Sequence, residues 1–348
     1  MEGVEKAWEY VRKSPELYSI GYEKGKGIGE DIEVPKDLMG VLFLGMGGSG
    51  IAGDITRDLL MEPFKTPVYV IKDYSIPFKV NDKHLVIAVS YSGTTAETIV
   101  AAAQARRQGA KLVFVTSGGV ASNIAEKHGI PVVKISQGMQ PRFATPEMVG
   151  ASYGLLASMG LDEERNGSKF TKCIDELREF INRFTSLDSG ETTRAAEIIS
   201  DKPTVIYSHS HLISSGYRFK AQLNENAKHP AFHAALPEAG HNEVESWVTN
   251  PKVANVIIRS GWEAPAFREL LNWMVEEIER RNMALYQLRV EAASPMAEIL
   301  KVIALVDFIS VALSRIKGVD PLKLEILPQV RKAVKTNEKL KEHAAEGF

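Results

Sequence analysis

The chain has 348 residues, a length that suits two domains of ordinary size. Apolar residues make up 44% and charged residues 25%, a balance typical of globular proteins that argues against extensive disorder. The 42 basic and 44 acidic residues leave a formal net charge of -2, so the chain has no strong positive field for binding a nucleic acid or an anionic membrane.

The N-terminus and the cysteine content indicate a compartment. Residues 1–18 are charged and amphipathic, without the apolar core of a signal peptide, and no apolar run reaches membrane-spanning length. Cys173 is the only cysteine, which excludes an internal disulfide, and no Cys/His cluster has the spacing of a structural zinc site. We therefore expect a cytoplasmic protein that needs neither a metal nor a cofactor.

The first half of the chain alternates between strand and helix patterns. A polar helical lead-in over 1–35 precedes the short β-branched runs VLFLG, PVYVI, HLVIAVS, KLVFVTS and PVVKIS, and the segments between them have helical character. Such alternation is typical of βαβ units, which build a parallel sheet covered on both faces. We expect one domain of this kind over 36–155.

A second alternating series follows a helical linker over 156–190. Its strand-like runs are PTVIYS, VANVIIRS and MALYQLRV, and they predict a second domain over 191–317, followed by a C-terminal helix over 318–348. The predicted fold class is therefore α/β, with two tandem domains, each a mostly parallel, flavodoxin-like sheet flanked by helices.

The first strand is followed by the glycine-rich loop GMGGSG. Gly47 and Gly48 let a ligand approach the backbone, and Ser49 offers a hydroxyl at the start of the next helix, which suits an anion. The loop also fits a loose dinucleotide fingerprint, but no acidic residue ends the second strand at the usual spacing; Asp73 is the nearest.

The third strand is followed by SYSGTTAET. Ser90, Ser92 and Thr95 offer hydroxyls beside a helix N-terminus, whose N–H groups and dipole also favour an anion. A single hydroxyl here would be read as a helix cap, and Thr95 is suitably placed to be one. Several hydroxyls around one glycine, next to a second Gly/Ser loop, instead predict a phosphate-binding site.

These two loops in this order resemble the sugar isomerase (SIS) domain, a phosphosugar-binding fold, so the two domains are expected to be of SIS type. The motifs QLNENAK, GHNEVESW, QPRFATPEMVG and GVDP resemble the bifunctional phosphoglucose/phosphomannose isomerases of the phosphoglucose isomerase superfamily. The resemblance runs over nearly the whole chain from about residue 40. It implies an enzyme of glycolysis or gluconeogenesis that interconverts glucose 6-phosphate, and also mannose 6-phosphate, with fructose 6-phosphate.

The resemblance also implies roles for individual residues. Glu225, in LNENAK, matches the family's base for proton transfer through an enediol, although a random glutamate on a helix is more often a solvated surface residue. Arg142, in QPRFATP, matches the arginine that stabilises the enediolate; the alternative is a surface arginine after a strand. The flanking amides of Asn224 and Asn226 are candidates for orienting Glu225.

His241 in EAGHNE matches the family's ring-opening histidine, which reaches the active site from a neighbouring subunit and so implies a homodimer. Four histidines nearby compete for the same role: His209, His211, His229 and His233. A family lysine near the C-terminus falls on Arg331, with Lys332 beside it, which leaves the identity of the C-terminal cation open.

Two alternatives remain. One is another SIS-domain phosphosugar isomerase, acting for example on amino sugar or pentose phosphates. The other is a sugar-phosphate-sensing module without catalytic activity, for which the Glu, His and Arg set would be unnecessary.

Overall fold

A computed structural model of the chain describes residues 2–60, 66–162, 167–187 and 190–348. Within these ranges the β-strands are β1 Gly40–Leu44, β2 Val68–Ile71, β3 His84–Ser90, β4 Lys111–Thr116, β5 Val132–Lys134, β6 Thr204–His209, β7 Ala231–Leu236, β8 Ala254–Ile258 and β9 Ala284–Leu288. The α-helices are α1 Glu2–Arg12, α2 Ser14–Gly29, α3 Gly47–Leu59, α4 Ala96–Arg107, α5 Gly119–His128, α6 Thr145–Ser158, α7 Ser168–Ile181, α8 Gly190–Ile199, α9 Ile213–Asn226, α10 Pro265–Arg280, α11 Pro295–Ile316, α12 Leu327–Ala333 and α13 Thr336–Glu346.

These elements form two compact units. The first unit consists of Ser14–Thr171 with Leu324–Phe348, and the second consists of Met1–Lys13 with Lys172–Lys323. Each unit contains one of the two sheets. The predicted linker cannot be followed throughout, because residues 163–166 and 188–189 lie outside the described residues.

The first unit is built on a five-stranded parallel sheet in the order β2-β1-β3-β4-β5. This is the flavodoxin-like order, in which the chain reverses direction across the sheet between β1 and β3. Every residue of β1 and β3 is buried, as expected for central strands covered by helices on both faces.

Close packing of α2 on α6 supports the segment that enters α6. A Cβ atom at Gly21 would lie 2.1 Å from the carbonyl oxygen of Glu147, and one at Gly25 would lie 2.0 Å from that of Ala151. Only glycine permits this approach of two backbones. The N-terminus of α6, which follows Arg142, is therefore held in place.

The second unit contains a four-stranded parallel sheet in the order β7-β6-β8-β9. Its order is that of the first sheet without a fifth strand, so β6 corresponds to β1 and β8 to β3. The two sheets confirm the predicted fold class of two flavodoxin-like α/β domains.

Strand β7 was not predicted. Its sequence, AFHAAL, has no β-branched residue and three alanines, which are depleted in strands. Pairing with β6 nevertheless makes it an edge strand, and its Phe232 is exposed. The connection from β7 to β8 is also unlike the predicted pattern, since it contains the 3₁₀ helices 238–241 and 243–249.

A buried polar network fixes α9 against α11. The guanidinium of Arg218 donates to both carboxylate oxygens of Asp307 at 2.9 and 2.6 Å, and Gln222 Nε2 donates to the same carboxylate at 2.9 Å. One turn further along α9, Asn226 Nδ2 donates to Ser310 Oγ at 2.9 Å. Because breaking a buried ion pair is costly, this network fixes the rotation of α9 about its axis.

The C-terminal segment also differs from expectation. Residues 318–348, predicted as one helix, contain two, α12 and α13. Helix α13 packs on α4 and contributes Ala344 to the core of the first unit, whereas α12 has no buried residue. None of the helices in the described ranges has the length and apolar character needed to cross a membrane.

Candidate active site

The two hydroxyl-bearing loops follow adjacent strands at the carboxyl edge of the first sheet. One connects β1 to α3 and the other connects β3 to α4. In open parallel sheets, ligands bind where the chain direction switches between neighbouring strands. The structure therefore brings the predicted phosphate-binding loops together at the expected position.

Hydrogen bonds join these loops to each other. Ser49 Oγ accepts a hydrogen bond from the backbone N–H of Tyr91 at 3.1 Å, and Ser90 Oγ donates to Thr95 Oγ1 at 3.1 Å. Ser92 Oγ lies 3.0 Å from Thr94 Oγ1, and both of these side chains are exposed. Ser49 and Ser90 are buried and shape the site, while Ser92 forms its outer rim.

Thr95 occupies the N-cap position of α4, but in the described part of the chain its hydroxyl does not cap the helix. Met46, at the N-cap of α3, likewise provides no side-chain hydrogen bond to the residues described. Helix N-termini without such caps leave N–H groups that can bind an anion. The capping explanation for Thr95 is therefore wrong, which favours the anion-binding interpretation.

Gly93 permits a close approach between neighbouring loops. Its φ is +64°, and a Cβ atom at this position would lie 1.8 Å from the carbonyl oxygen of Gly118. The loop after β4 is further held by Ser117, whose N–H and Oγ both donate to the carbonyl oxygen of Tyr91, at 3.0 and 2.7 Å. Ser117 was not predicted as a site residue, although TSGG after β4 repeats the Ser/Gly pattern of the two other loops.

Arg142 lies beside the glycine-rich loop. A Cβ atom at Gly48 would lie 3.1 Å from the carbonyl oxygen of Pro141 and 3.2 Å from the backbone nitrogen of Arg142. Arg142 is only 2% exposed, and its guanidinium lies over the ring of Phe143 at 5.1 Å. A buried arginine is not a surface residue, so the alternative interpretation of Arg142 is wrong.

Two further residues hold the segment that carries Arg142. The hydroxyl of Tyr91 accepts a hydrogen bond from the backbone N–H of Met139 at 3.0 Å. The fully buried carboxylate of Glu147 accepts from Lys24 Nζ at 2.7 Å and from the backbone N–H of Ser136 at 2.9 Å. These contacts fix the segment at both ends, and no local sequence pattern distinguishes either side chain.

Glu225 lies in the last turn of α9 and is partly buried. The ammonium group of Lys228 donates to three carbonyl oxygens, those of Glu225 at 2.7 Å, Asp320 at 2.9 Å and Lys323 at 2.8 Å. A lysine at this position neutralises the negative end of the helix dipole. It also ties the backbone of Glu225 to the turn after α11.

The amides flanking Glu225 contact other groups. Asn224 Nδ2 donates to the carbonyl oxygen of His229 at 2.8 Å, and Asn226 Nδ2 donates to Ser310 Oγ, as described above. These amides therefore hold the end of α9, and they orient Glu225 through the backbone.

Two of the competing histidines are neutral and internally bonded. His229 lies between Lys317 Nζ, 3.2 Å from its Nδ1, and Thr204 Oγ1, 2.9 Å from its Nε2. Burial and the charge of Lys317 lower the pKa of His229 to about 4. His233 Nε2 lies 2.7 Å from Ser208 Oγ, and burial lowers its pKa to about 4 as well.

The other two competitors are also in the interior. His209 is buried and stacks on Phe267 with ring centroids 4.7 Å apart, and burial lowers its pKa. His211 Nε2 donates to the fully buried Glu298 carboxylate at 2.8 Å. His241, by contrast, is exposed at the end of the 3₁₀ helix 238–241. Of the five histidines, it is the most exposed to solvent; His233 is partly exposed and the other three are buried.

Glu225 and His241 are not adjacent within one chain. Glu225 lies near the amino ends of β6 and β7. Its neighbour Asn224 bonds the backbone of His229, and the side chain of His229 bonds that of Thr204, the first residue of β6. His241 follows the carboxyl end of β7. Six residues of strand lie between these positions, a separation on the order of 20 Å.

Arg331 and Lys332 are both exposed on α12, which belongs to the first unit together with the hydroxyl loops and Arg142. Neither is distinguished from the other by burial. The choice between them as the C-terminal cation therefore stays open.

Comparison with known proteins assigns the family. A family model described as "SIS domain" matches residues 40–141, and one described as "Bacterial phospho-glucose isomerase C-terminal SIS domain" matches residues 189–334. A bifunctional phosphoglucose/phosphomannose isomerase from Aquifex aeolicus is 30% identical over 90% of this chain and 94% of its own length. The chain belongs to the bifunctional phosphoglucose/phosphomannose isomerase family. This confirms the predicted family and the two predicted SIS domains.

Two further relatives and one solved structure are also similar to this chain. A protein of the same name from Caldicellulosiruptor bescii is 34% identical over 68% of this chain and 70% of its own. A D-glucosamine-6-phosphate 4-epimerase from Sulfolobus acidocaldarius is 36% identical over 64% of this chain and 71% of its own. The structure of the C-terminal domain of glucosamine-fructose-6-phosphate aminotransferase from Francisella tularensis superposes with a TM-score of 0.71 at 17% identity, covering 90% of this chain and 96% of that one, which supports the fold.

We predict that Tyr91→Phe makes the segment that carries Arg142 more mobile. The variant removes the acceptor for the partly buried N–H of Met139, which should lower the free energy of unfolding by about 1 kcal/mol. It should also speed amide hydrogen exchange over residues 137–143. Tyr69→Phe is the control, since Tyr69, on β2, is 40% exposed. Equal exchange in the two variants would contradict the role given to Tyr91.

We also predict that acid destabilises the second unit through His229. Because its pKa is lowered from 6.5 to about 4 in the folded state, the unfolded chain binds more protons between these values. The contribution of His229 to the free energy of unfolding is therefore fully present above pH 6.5. It is lost as the pH falls towards 4, and the loss is on the order of 2 kcal/mol.

Urea unfolding at pH 7 and pH 4.5 measures this loss. His229→Gln, which keeps a donor and an acceptor for Thr204 and Lys317 but does not titrate, should reduce the difference between the two pH values. The exposed His343→Gln should leave it unchanged. An equal effect of both variants would show that His229 is not responsible.

Proposed function

We propose that the chain interconverts glucose 6-phosphate with fructose 6-phosphate, and mannose 6-phosphate with fructose 6-phosphate. The observation that carries the proposal is the buried Arg142 beside two linked loops that end in helix N-termini, where the N-cap side chains of Met46 and Thr95 make no capping hydrogen bond within the described residues. Hydroxyls and N–H groups suit a phosphate, and a fixed cation suits the charge of an enediolate. The family membership supports the same reaction.

The proposed mechanism assigns one step to each group. Gly47, Gly48, Ser49, Ser90, Ser92 and Thr95 bind the phosphate, with Arg331 or Lys332 as a further cation. His241 opens the ring by moving a proton between the ring oxygen and the hydroxyl on carbon 1. Glu225 takes the proton from carbon 2 of the open aldose and returns it to carbon 1, while the proton on oxygen 2 passes to oxygen 1. Arg142 stabilises the negative charge on the enediolate oxygens.

Epimer formation follows from the same intermediate. Carbon 2 is planar in the enediol, so a proton returned to one face or the other produces glucose 6-phosphate or mannose 6-phosphate from the ketose. Dual specificity then requires that the enediol can present either face of carbon 2 to Glu225 and that the site admit both configurations at carbon 2.

The active form is proposed to be a homodimer. Glu225 and His241 are on the order of 20 Å apart in one chain, which is too far for both to act on one sugar. A second subunit can supply His241 to the Glu225 of the first. A cytoplasmic location and a role in glycolysis or gluconeogenesis are also proposed, from the single free thiol at Cys173 and from the substrates.

A second candidate is epimerisation of an amino sugar phosphate. The identity of 36% to a D-glucosamine-6-phosphate 4-epimerase favours it. Incubation of purified protein with fructose 6-phosphate, and separately with glucosamine 6-phosphate, tests both. Formation of glucose and mannose 6-phosphates supports the isomerase, an epimer of the amino sugar supports the second candidate, and binding without turnover of either supports a sensor.

Glu225→Gln should abolish isomerisation while sparing the binding of fructose 6-phosphate. Loss of the base should lower kcat by roughly 10²- to 10⁴-fold, because general base catalysis contributes that much. The exposed Glu276→Gln on α10 is the control and should keep full activity. A Glu225→Gln variant with normal kcat would exclude Glu225 as the base.

Mixing inactive subunits tests the shared site. If Glu225 and His241 act from different chains, Glu225→Gln and His241→Asn homodimers should each be inactive. Subunit exchange between them should restore about a quarter of wild-type activity, since half of the dimers are mixed and each mixed dimer has one intact site of two. No recovery in verified mixed dimers would mean that each chain supplies both residues to its own site.

A further inference from the structure

The carboxyl edge of the second sheet has its own set of hydrogen-bond donors. Since β6 corresponds to β1 and β8 to β3, the loops after β6 and β8 occupy the position of the phosphate-binding loops in the first unit. They contribute the imidazole of His211, the hydroxyl of Ser260 and the backbone N–H of Gly261. We call these three groups the second cradle.

All three donors point at one carboxylate. His211 Nε2 donates to Glu298 Oε2 at 2.8 Å, Ser260 Oγ donates to the same oxygen at 2.5 Å, and Gly261 N donates to Oε1 at 2.8 Å. Glu298 is fully buried in the first turn of α11, where the helix dipole also favours a negative charge.

This donor set is the one that an oxyanion requires. An imidazole N–H, a hydroxyl and a backbone N–H are the groups that bind phosphate and sulfate at helix N-termini and loops. The backbone N–H of Trp262 donates to Ser260 Oγ at 2.9 Å, which leaves the Ser260 proton directed at Glu298.

A second acidic residue nearby does not compete for the cradle. Glu263 is occupied by Arg259, whose Nε and Nη2 donate to its two oxygens at 2.7 and 2.8 Å. It also accepts from the backbone N–H of Ser260 at 3.0 Å. Glu298 is therefore the negative group that satisfies the cradle.

A catalytic triad does not fit these contacts. In a triad the carboxylate binds one imidazole nitrogen and the serine hydroxyl binds the other. Here Glu298 and Ser260 both approach Nε2 of His211, at 2.8 and 3.5 Å, and the hydroxyl proton of Ser260 is directed to the carboxylate.

We propose that the second SIS domain contains an oxyanion site that is closed by the carboxylate of Glu298, and that removal of this carboxylate lets the site bind inorganic phosphate. The carboxylate stands where phosphate oxygens would lie. This inference rests on the proposed function in one respect: an internal anion in the second cradle means that the substrate phosphate binds at the loops of the first unit.

Calorimetric titration of the full-length protein with inorganic phosphate tests the proposal. Glu298→Ala should bind one more phosphate per chain than the wild type, because four heavy atoms are removed and three donors are left without their acceptor. Glu298→Gln is the matched control and should keep the wild-type stoichiometry, since the amide still fills the space. An additional phosphate in the glutamine variant, or none in the alanine variant, would overturn the proposal.

Two further measurements locate the additional phosphate and cover the case of an unstable variant. Glu298→Ala combined with Ser260→Ala should lose the extra phosphate; retention would place it elsewhere and contradict the proposal. Phosphate should raise the unfolding temperature of Glu298→Ala by more than that of the wild type, and a variant that stays unfolded at saturating phosphate would also contradict it. Wild-type protein that binds no phosphate would count against the proposed function alone.

Discussion

The hydrogen bond from the backbone N–H of Tyr91 to Ser49 Oγ is the contact on which the first unit's site depends. It joins the loops after β1 and β3 through two residues that lie 42 positions apart in the sequence. The carbonyl oxygen and the hydroxyl of the same tyrosine extend the link to Ser117 and to Met139, the latter in the segment that ends at Arg142. One buried residue thus fixes the spacing between the hydroxyls and the cation.

The second unit relies on a different constraint. Glu225, the proposed base, lies near the end of a helix, where backbone hydrogen bonds are weakest and fraying is easiest. The Arg218–Asp307 ion pair holds the middle of α9, and Lys228 holds its end by contacting three carbonyl oxygens. The amide side chains of the QLNENAK motif therefore fix the helix end that carries Glu225, which explains why the motif is rich in amides.

The parts of the fold and site that were predicted from sequence depend on local patterns. Buried central strands are continuous apolar runs, and loops that bind anions contain clustered glycines and hydroxyls, so both are visible in a few consecutive residues. Strand β7 was missed because its alanines form a strand only through pairing with β6. The role of Tyr91 was missed because its three contacts involve residues distant in sequence.

The sequence by itself determined that the chain forms two parallel-sheet domains, that hydroxyl-bearing loops follow two central strands, and which family it belongs to. Tertiary structure alone decided three matters. It buried Arg142. It placed four of the five candidate histidines in internal contacts, while the fifth, His241, stayed exposed. It also set Glu225 and His241 at opposite ends of β7. The physical reason is that burial and hydrogen-bond partners are properties of neighbours in space, whereas the periodicity of a strand and the composition of a loop are properties of neighbours along the chain.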